Sequence, residues 1–221
     1  MPIRLPSWIL RPWKVQDAHD ALAEPYAHFL TGALDRMPWD RAVLDLFCEL
    51  VGDGGQVVDV GCGTGRLAPY LASRGIVPRG VDLSPGMVSV ARREHPGFAF
   101  GVADVRSLPI DDAAMDGAVA WYSLMYLPPE QRRLAFSELG RVVRPGGYLV
   151  AAFKAGDNSS RRSGQTLVKG VTYDVYWHSP EEVQERVREA GFEVTFWAGR
   201  PADADEMQPQ GYLVARRTRP G

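Results

Sequence analysis

The segment VVDVGCGTGRLAPYLA, Val57 to Ala72, constrains the fold more than any other part of this 221-residue chain. An apolar run with one embedded carboxylate meets three glycines spaced GxGxG and then a helix-like stretch. A short continuous apolar run is expected of a strand buried on both faces. Gly61, Gly63 and Gly65 let backbone turn sharply and come close to a ligand, and the following helix start aims N–H groups at anionic groups.

What surrounds this unit repeats its logic. Gln56–Val60 predicts a strand and Arg66–Ser73 a helix stopped at Gly75. A strand over Val77–Leu83 follows, and Ser84-Pro85 caps the next helix, which carries Met87, Val88 and Ala91 on one face. Phe98–Val102, Gly117–Trp121 and Tyr148–Phe153 read as further strands, with a helix over Pro129–Val143 before the last of them. Alternating strands and helices imply a Rossmann-like, doubly wound α/β fold. Phe192–Ala198 and Tyr212–Arg216 add an antiparallel C-terminal hairpin, which makes a mostly parallel seven-stranded sheet with helices on both faces.

The chain reads as one domain in four parts. Residues 1–51 form a helical cap, with helices near Asp20–Leu34 and Trp39–Val51, and 52–154 a ligand-binding core. Residues 155–178 form an inserted hairpin or lid, with alternation over Gln165–Trp177 and a turn at Lys169-Gly170. Residues 179–221 hold the last helix, opened by the capping box Ser179-Pro180-Glu181-Glu182, and the closing strands. Trp8 and Trp13 pack on the domain, or join the lid or a dimer contact.

Two ligand classes use such a glycine loop: dinucleotides and S-adenosylmethionine. The dinucleotide fingerprint GxGxxG requires glycine at position 66, where this chain has Arg66. Asp59, just before the loop, suits an amino acid's ammonium group better than a pyrophosphate. It can also tie down loop amides.

With RGVDLSPGMVSVARR, GVADVRSLPI, DGAVAWYSLMYLP and RVVRPGGYLVAAF following in order, the chain resembles the class I S-adenosylmethionine-dependent methyltransferases. The likeness is close over Gln56–Phe153 and looser beyond. It implies that Asp82 accepts from both ribose hydroxyls, a carboxylate that would repel the 2′-phosphate of NADP. It implies that Leu83 and Met87 pack on the adenine faces, that Asp104 accepts from the adenine amine, and that Val105 offers a backbone N–H. Gly61, Gly63 and the backbone near Ala120 and Trp121 would line the methionine portion. Arg66 reaches the carboxylate or faces solvent, and Tyr26 closes over the methionine or packs between cap and core.

Methyl transfer disperses a sulfonium charge, so positioning and a dry pocket matter more than a strong catalytic group. If the acceptor must lose a proton, His178 is the base candidate by intrinsic pKa, with Tyr126 as a second catalytic candidate. The rival reading of His178 is a residue on the rim of a helix entry. After the fourth strand the chain reads WYSLMY, not the Asn/Asp-Pro-Pro-aromatic set of nucleic-acid amino-methyltransferases. Net charge is −2 and basic residues form no long run, so nucleic acid is not an expected partner. His19, His28, His95 and His178 are scattered, which predicts no metal site.

Cys48 and Cys62 lack metal or redox spacing, and no apolar run suits a signal peptide or a membrane span. The expectation is a cytoplasmic monomer or homodimer acting on a small organic acceptor. Binding of the cofactor without methyl transfer is the principal alternative, and a dinucleotide-dependent oxidoreductase the weaker one.

Overall fold

The computed structural model describes residues 14–162, 167–204 and 206–218. Five parallel strands, β1 (Gln56–Val60), β2 (Val77–Asp82), β3 (Ala99–Val102), β4 (Met115–Trp121) and β5 (Val143–Lys154), form most of one sheet. Strands β8 (Phe192–Arg200) and β9 (Gln210–Arg217) complete it, with β9 antiparallel to both β5 and β8. The order β3-β2-β1-β4-β5-β9-β8 reverses direction between β1 and β4. An open sheet with this reversal leaves a crevice at the carboxyl ends of its strands.

Alternate side chains of the central strands enter two cores. Val57, Val119, Val150 and Tyr212 meet Leu44 and Phe47 of α2 (Pro38–Val51) and Leu71 of α3 (Leu67–Ala72). Val58, Ala118, Leu149 and Leu213 meet Phe136 and Leu139 of α5 (Pro129–Val142) and Val187 of α6 (Pro180–Glu189). Each fully buried large apolar side chain contributes about 1.5–3 kcal/mol. Continuous apolar strands are what a sheet covered on both faces requires.

The first helix, α1 (Lys14–Leu30), starts and stops earlier than expected. It ends where Thr31 donates to the His28 carbonyl and Gly32 turns at φ +62°. Leu22 and Ala23 pack it on Met87 and Val90 of α4 (Pro85–Glu94). Asp20 accepts from the Ser84 hydroxyl and, at 2.8 Å, from the Gly86 amide. Ser84 also caps α4 as read, accepting from the Met87 amide at 3.0 Å.

The inserted hairpin differs from expectation. Its strands are β6 (Ser160–Arg162) and β7 (Asp174–Tyr176), antiparallel with Ser160 opposite Tyr176. The Lys169-Gly170 turn is present, with Gly170 at φ +86°. The apolar alternation at Val171 and Tyr173 is not a strand: together with Val168, these side chains pack against the α1–α4 cluster. Trp8, Trp13 and Gln165 lie outside the described residues.

Candidate functional site

A cavity of about 780 Å³ occupies the crevice at the switch point, walled by strand ends, α1 and the inserted segment. The glycine loop enters it with Gly61, Gly63 and Gly65 at φ +71°, +55° and +78°, all in the left-handed region. The three glycines serve different purposes. A Cβ on Gly61 would lie 2.3 Å from Ser123 Cβ, and one on Gly65 would lie 2.6 Å from Phe100 Cζ. A Cβ on Gly63 would meet nothing within 4 Å. Gly61 and Gly63 line the cavity, whereas Gly65 does not; its bare backbone makes room for Phe100.

Asp82 holds this loop. Its Oδ2 accepts from the Gly63 amide at 2.8 Å and its Oδ1 from the Ser84 amide at 2.9 Å. Burial raises its pKa, the two amides and the His19 charge oppose that, and Asp20 adds to it. Each carboxylate oxygen keeps a second lone-pair direction. Asp82 lines the cavity with Leu83, Met87 and Val105.

Asp104 also lines it, but both oxygens are engaged by the Arg106 guanidinium, with Nε at 2.8 and 3.0 Å. Nothing in the local sequence except the i+2 spacing signals that pair. The adenine-amine role expected of Asp104 is thus left with the lone pairs Arg106 does not use.

Asp59 is fully buried and its Oδ1 has no hydrogen-bond partner. Burial, countered by Arg66 and reinforced by Asp82, pushes its pKa up to about 7. Arg66 lines the cavity beside it, and the Arg66 Nη1 is buried without a partner. A carboxylate and a guanidinium with unused buried valences form a matched pair for a zwitterionic amino-acid group. The residues present therefore fit the aminocarboxypropyl end of S-adenosylmethionine.

Within electrostatic reach of Asp82, the same cavity holds a cluster of aromatic side chains. Tyr126 stacks edge-on against His19 at 4.6 Å and Tyr173 at 5.6 Å between centroids, and hydrogen-bonds with Tyr26. Tyr26, Tyr126, Tyr173 and His19 all line the cavity. Burial first, then the neighbouring phenols, drive the Tyr126 pKa well above its ordinary value, so it holds its proton.

Besides Gly65, two more of the expected site residues lie off the cavity wall. Ala120 is packed into the sheet core with Val60 and does not line the cavity, although its neighbour Trp121 does. His178, the base candidate, is 1% exposed and also absent from the cavity wall. Its amide donates to the Lys154 carbonyl at 2.8 Å and its carbonyl accepts from the Gly156 amide at 2.9 Å. These bonds draw the ring under the sheet end, 5.9 Å from Phe153. Burial and the Arg132 charge lower its pKa to about 3, which makes it a neutral core histidine.

Another part of the cavity wall, within electrostatic reach of Arg66, contains a network that sequence reading missed. Asp40, from α2, accepts from Trp121 Nε1 at 3.0 Å and from the Tyr212 hydroxyl at 3.1 Å. Tyr122 donates to the Tyr212 hydroxyl at 3.2 Å, as does Arg200 Nε at 3.2 Å, and Arg200 is paired with Glu206. Tyr122 has φ +55°, an uncommon backbone state for an aromatic residue. Burial raises the Asp40 pKa, while the Trp121 and Tyr212 bonds lower it. Among the described residues no group of His, Cys, Asp and Glu is placed to hold a metal ion. No described helix is long and apolar enough to cross a membrane.

Residues 57–147 match a family model described as a methyltransferase domain. The O-methyltransferase cnsE of Penicillium expansum is 30% identical over 206 residues, covering 83% of this chain and 73% of that protein. The chain spans about half or less of other curated methyltransferases, 49% of one and 37% of another. Among solved structures, an S-adenosylmethionine-dependent methyltransferase from Methanosarcina mazei superposes with a TM-score of 0.70 at 19% identity, covering 77% of this chain and 95% of its own. The [4+2]-cyclase SpnF superposes with a TM-score of 0.63 at 26% identity, covering 80% of each chain.

Proposed function

The chain belongs to the class I S-adenosylmethionine-dependent methyltransferases, and from that premise we propose how its residues divide the work. The observation that carries the assignment is the pair of buried, unused valences on Asp59 and Arg66 beside the open face of Gly63. Asp59 takes the ammonium and Arg66 the carboxylate of the cofactor's amino-acid end. Asp82 accepts from the ribose hydroxyls while holding the loop, and Leu83, Met87 and Val105 enclose the adenine. Tyr26 and Tyr126 close over the methionine portion. When bound, S-adenosylmethionine supplies an electrophilic methyl group for in-line displacement and leaves as S-adenosylhomocysteine.

The acceptor is a small organic molecule whose O, N or C nucleophile enters from the side of Trp121 and Tyr122. The chain's contribution there is alignment and exclusion of water. Tyr126 and Tyr122 keep their protons, driven up by burial. We place the protein in the cytoplasm, as a monomer or homodimer, with the cap, core, lid and C-terminal part acting as one methyltransferase domain.

Mass spectrometry of reactions containing the cofactor and a panel of small phenols, acids and amines tests this. A product heavier by one methylene supports transfer, whereas tight S-adenosylhomocysteine binding with no methylated product across the panel counts against it. That outcome would favour the second reading, in which the bound cofactor serves a different reaction. The likeness to a [4+2]-cyclase supports that reading.

A further inference from the structure

Part of the cavity wall has no role in the reading above. Lys154 ends β5, Gln208 precedes β9, and both line the cavity. Lys154 is opposite Gln210 in the β5–β9 register, which brings the ammonium-bearing residue and the β9 entry together at one sheet end. In register Asp59 is level with Val119 of β4 and Val150 of β5, so Lys154 stands two strands across and four residues further along, about 16 Å from Asp59 between backbones. Both residues line the same cavity, and that span leaves room for an acceptor between Lys154 and a methyl donor anchored at Asp59.

Neither residue is satisfied by the protein. Among the described residues Lys154 has no ion pair: Glu206, the carboxylate that acts on it through space, is held by Arg200 at 2.5 and 2.7 Å. Burial lowers the Lys154 pKa, the sign of an ammonium partly stripped of water. Gln208 is 3% exposed and its amide nitrogen has no hydrogen-bond partner, while Gln210 spends its own amide on the Gln208 carbonyl at 3.0 Å. A half-buried cation beside an unused buried amide matches a ligand that brings negative charge and acceptor atoms. The polar groups of Asp40, Tyr122, Arg200 and Glu206 nearby are bonded within their own network, which leaves the faces of Trp121 and Trp177 and the 82% exposed Met207 as the apolar part of this wall.

We propose that the acceptor is an amphipathic carboxylic acid, its carboxylate held by Lys154 and Gln208 and its flat apolar body lying against Trp121, Trp177 and Met207. This rests on the methyltransferase reading and names the substrate class of that site.

The test uses the full chain saturated with S-adenosylhomocysteine, titrated calorimetrically with 2-naphthoate and with its neutral isostere 2-naphthamide. The acid is expected to bind at least about tenfold more tightly than the amide, the value of one charge-assisted hydrogen bond. Lys154→Met is expected to bring that ratio to about one with S-adenosylhomocysteine affinity unchanged. Gln208→Leu is expected to weaken naphthoate without strengthening the amide. Equal binding of acid and amide, no binding of either, or a preference that survives Lys154→Met would each overturn the proposal. Failure of the wild-type chain to bind S-adenosylhomocysteine would instead strike the underlying methyltransferase reading.

Discussion

Asp59 should make cofactor affinity depend on pH in a calculable way. Its carboxyl is buried, has one oxygen without a partner, and titrates near 7 in the ligand-free protein. An ammonium placed against it favours the carboxylate, so binding requires the deprotonated form. With a pKa of about 7, about 76% of the sites are deprotonated at pH 7.5 and about 3% at pH 5.5. The apparent Kd for S-adenosylhomocysteine should therefore rise roughly 25-fold between those values. The ligand's α-amine, which belongs to a free amino acid and not to a peptide terminus, keeps its positive charge across that window, so Asp59 sets the pH dependence.

Isothermal titration in two buffers of different ionisation enthalpy measures both the affinity and the proton released. At pH 6 close to one proton should leave per ligand bound, falling towards zero above pH 8. Asp82 is also raised by burial, so Asp59→Asn provides the separation. That variant should bind weakly, with most of the pH dependence gone. A wild-type affinity that is flat from pH 7.5 to 5.5, or an unchanged slope in Asp59→Asn, would refute the placement of the ammonium.

The same groups act on stability and on the loop. Asp59, with its folded pKa above the unfolded value of about 3.9, favours folding as pH falls through 7, whereas His178, depressed to about 3 from about 6.5, opposes folding over an overlapping range. Between about pH 4 and 6.5 the two slopes offset each other. Denaturant unfolding of ligand-free Asp59→Asn should lose about 1.4 kcal/mol more per pH unit of acidification than wild type there, and parallel slopes would sink the argument. Asp82→Ala should weaken S-adenosylhomocysteine binding at least about tenfold, while Asp111→Ala, on an exposed loop, should not; equal affinities would show the ribose is misplaced. Gly65→Ala, with its new Cβ 2.6 Å from Phe100 at φ +78°, should cost about 2–4 kcal/mol in chemical denaturation. Gly63→Ala, facing open space, should cost about 1–2 kcal/mol.

What is legible in the sequence is what local physics decides. The Ser84 cap and the apolar runs of β1 and β4 depend on neighbours within a few residues, and they fall where the pattern puts them. The hairpin misleads because alternation records burial, not strand pairing. Val171 and Tyr173 follow a turn and are partly buried against α1 and α4, and the ladder forms elsewhere. His178 misleads for a related reason. Its residue type suits a base, but the backbone bonds that carry it under β5 join positions 24 apart, Lys154 and His178, and leave no trace in the HSPEE segment.

The acceptor end is hidden more deeply still. Asp40 lies 81 residues from Trp121 and 172 from Tyr212, and each looks ordinary in its own segment. Only the switch in strand order brings α2, β4, β8 and β9 to one place. The donor end can be read locally because a single strand–loop–helix unit contributes Asp59, Gly63 and Arg66 within eight residues of sequence. On the proposed reading, single substitutions at Lys154 or Gln208 would change the acceptor while the loop that holds the donor stays the same. That separation explains why a family can share one cofactor motif and differ in substrate, and why the motif identifies the donor alone.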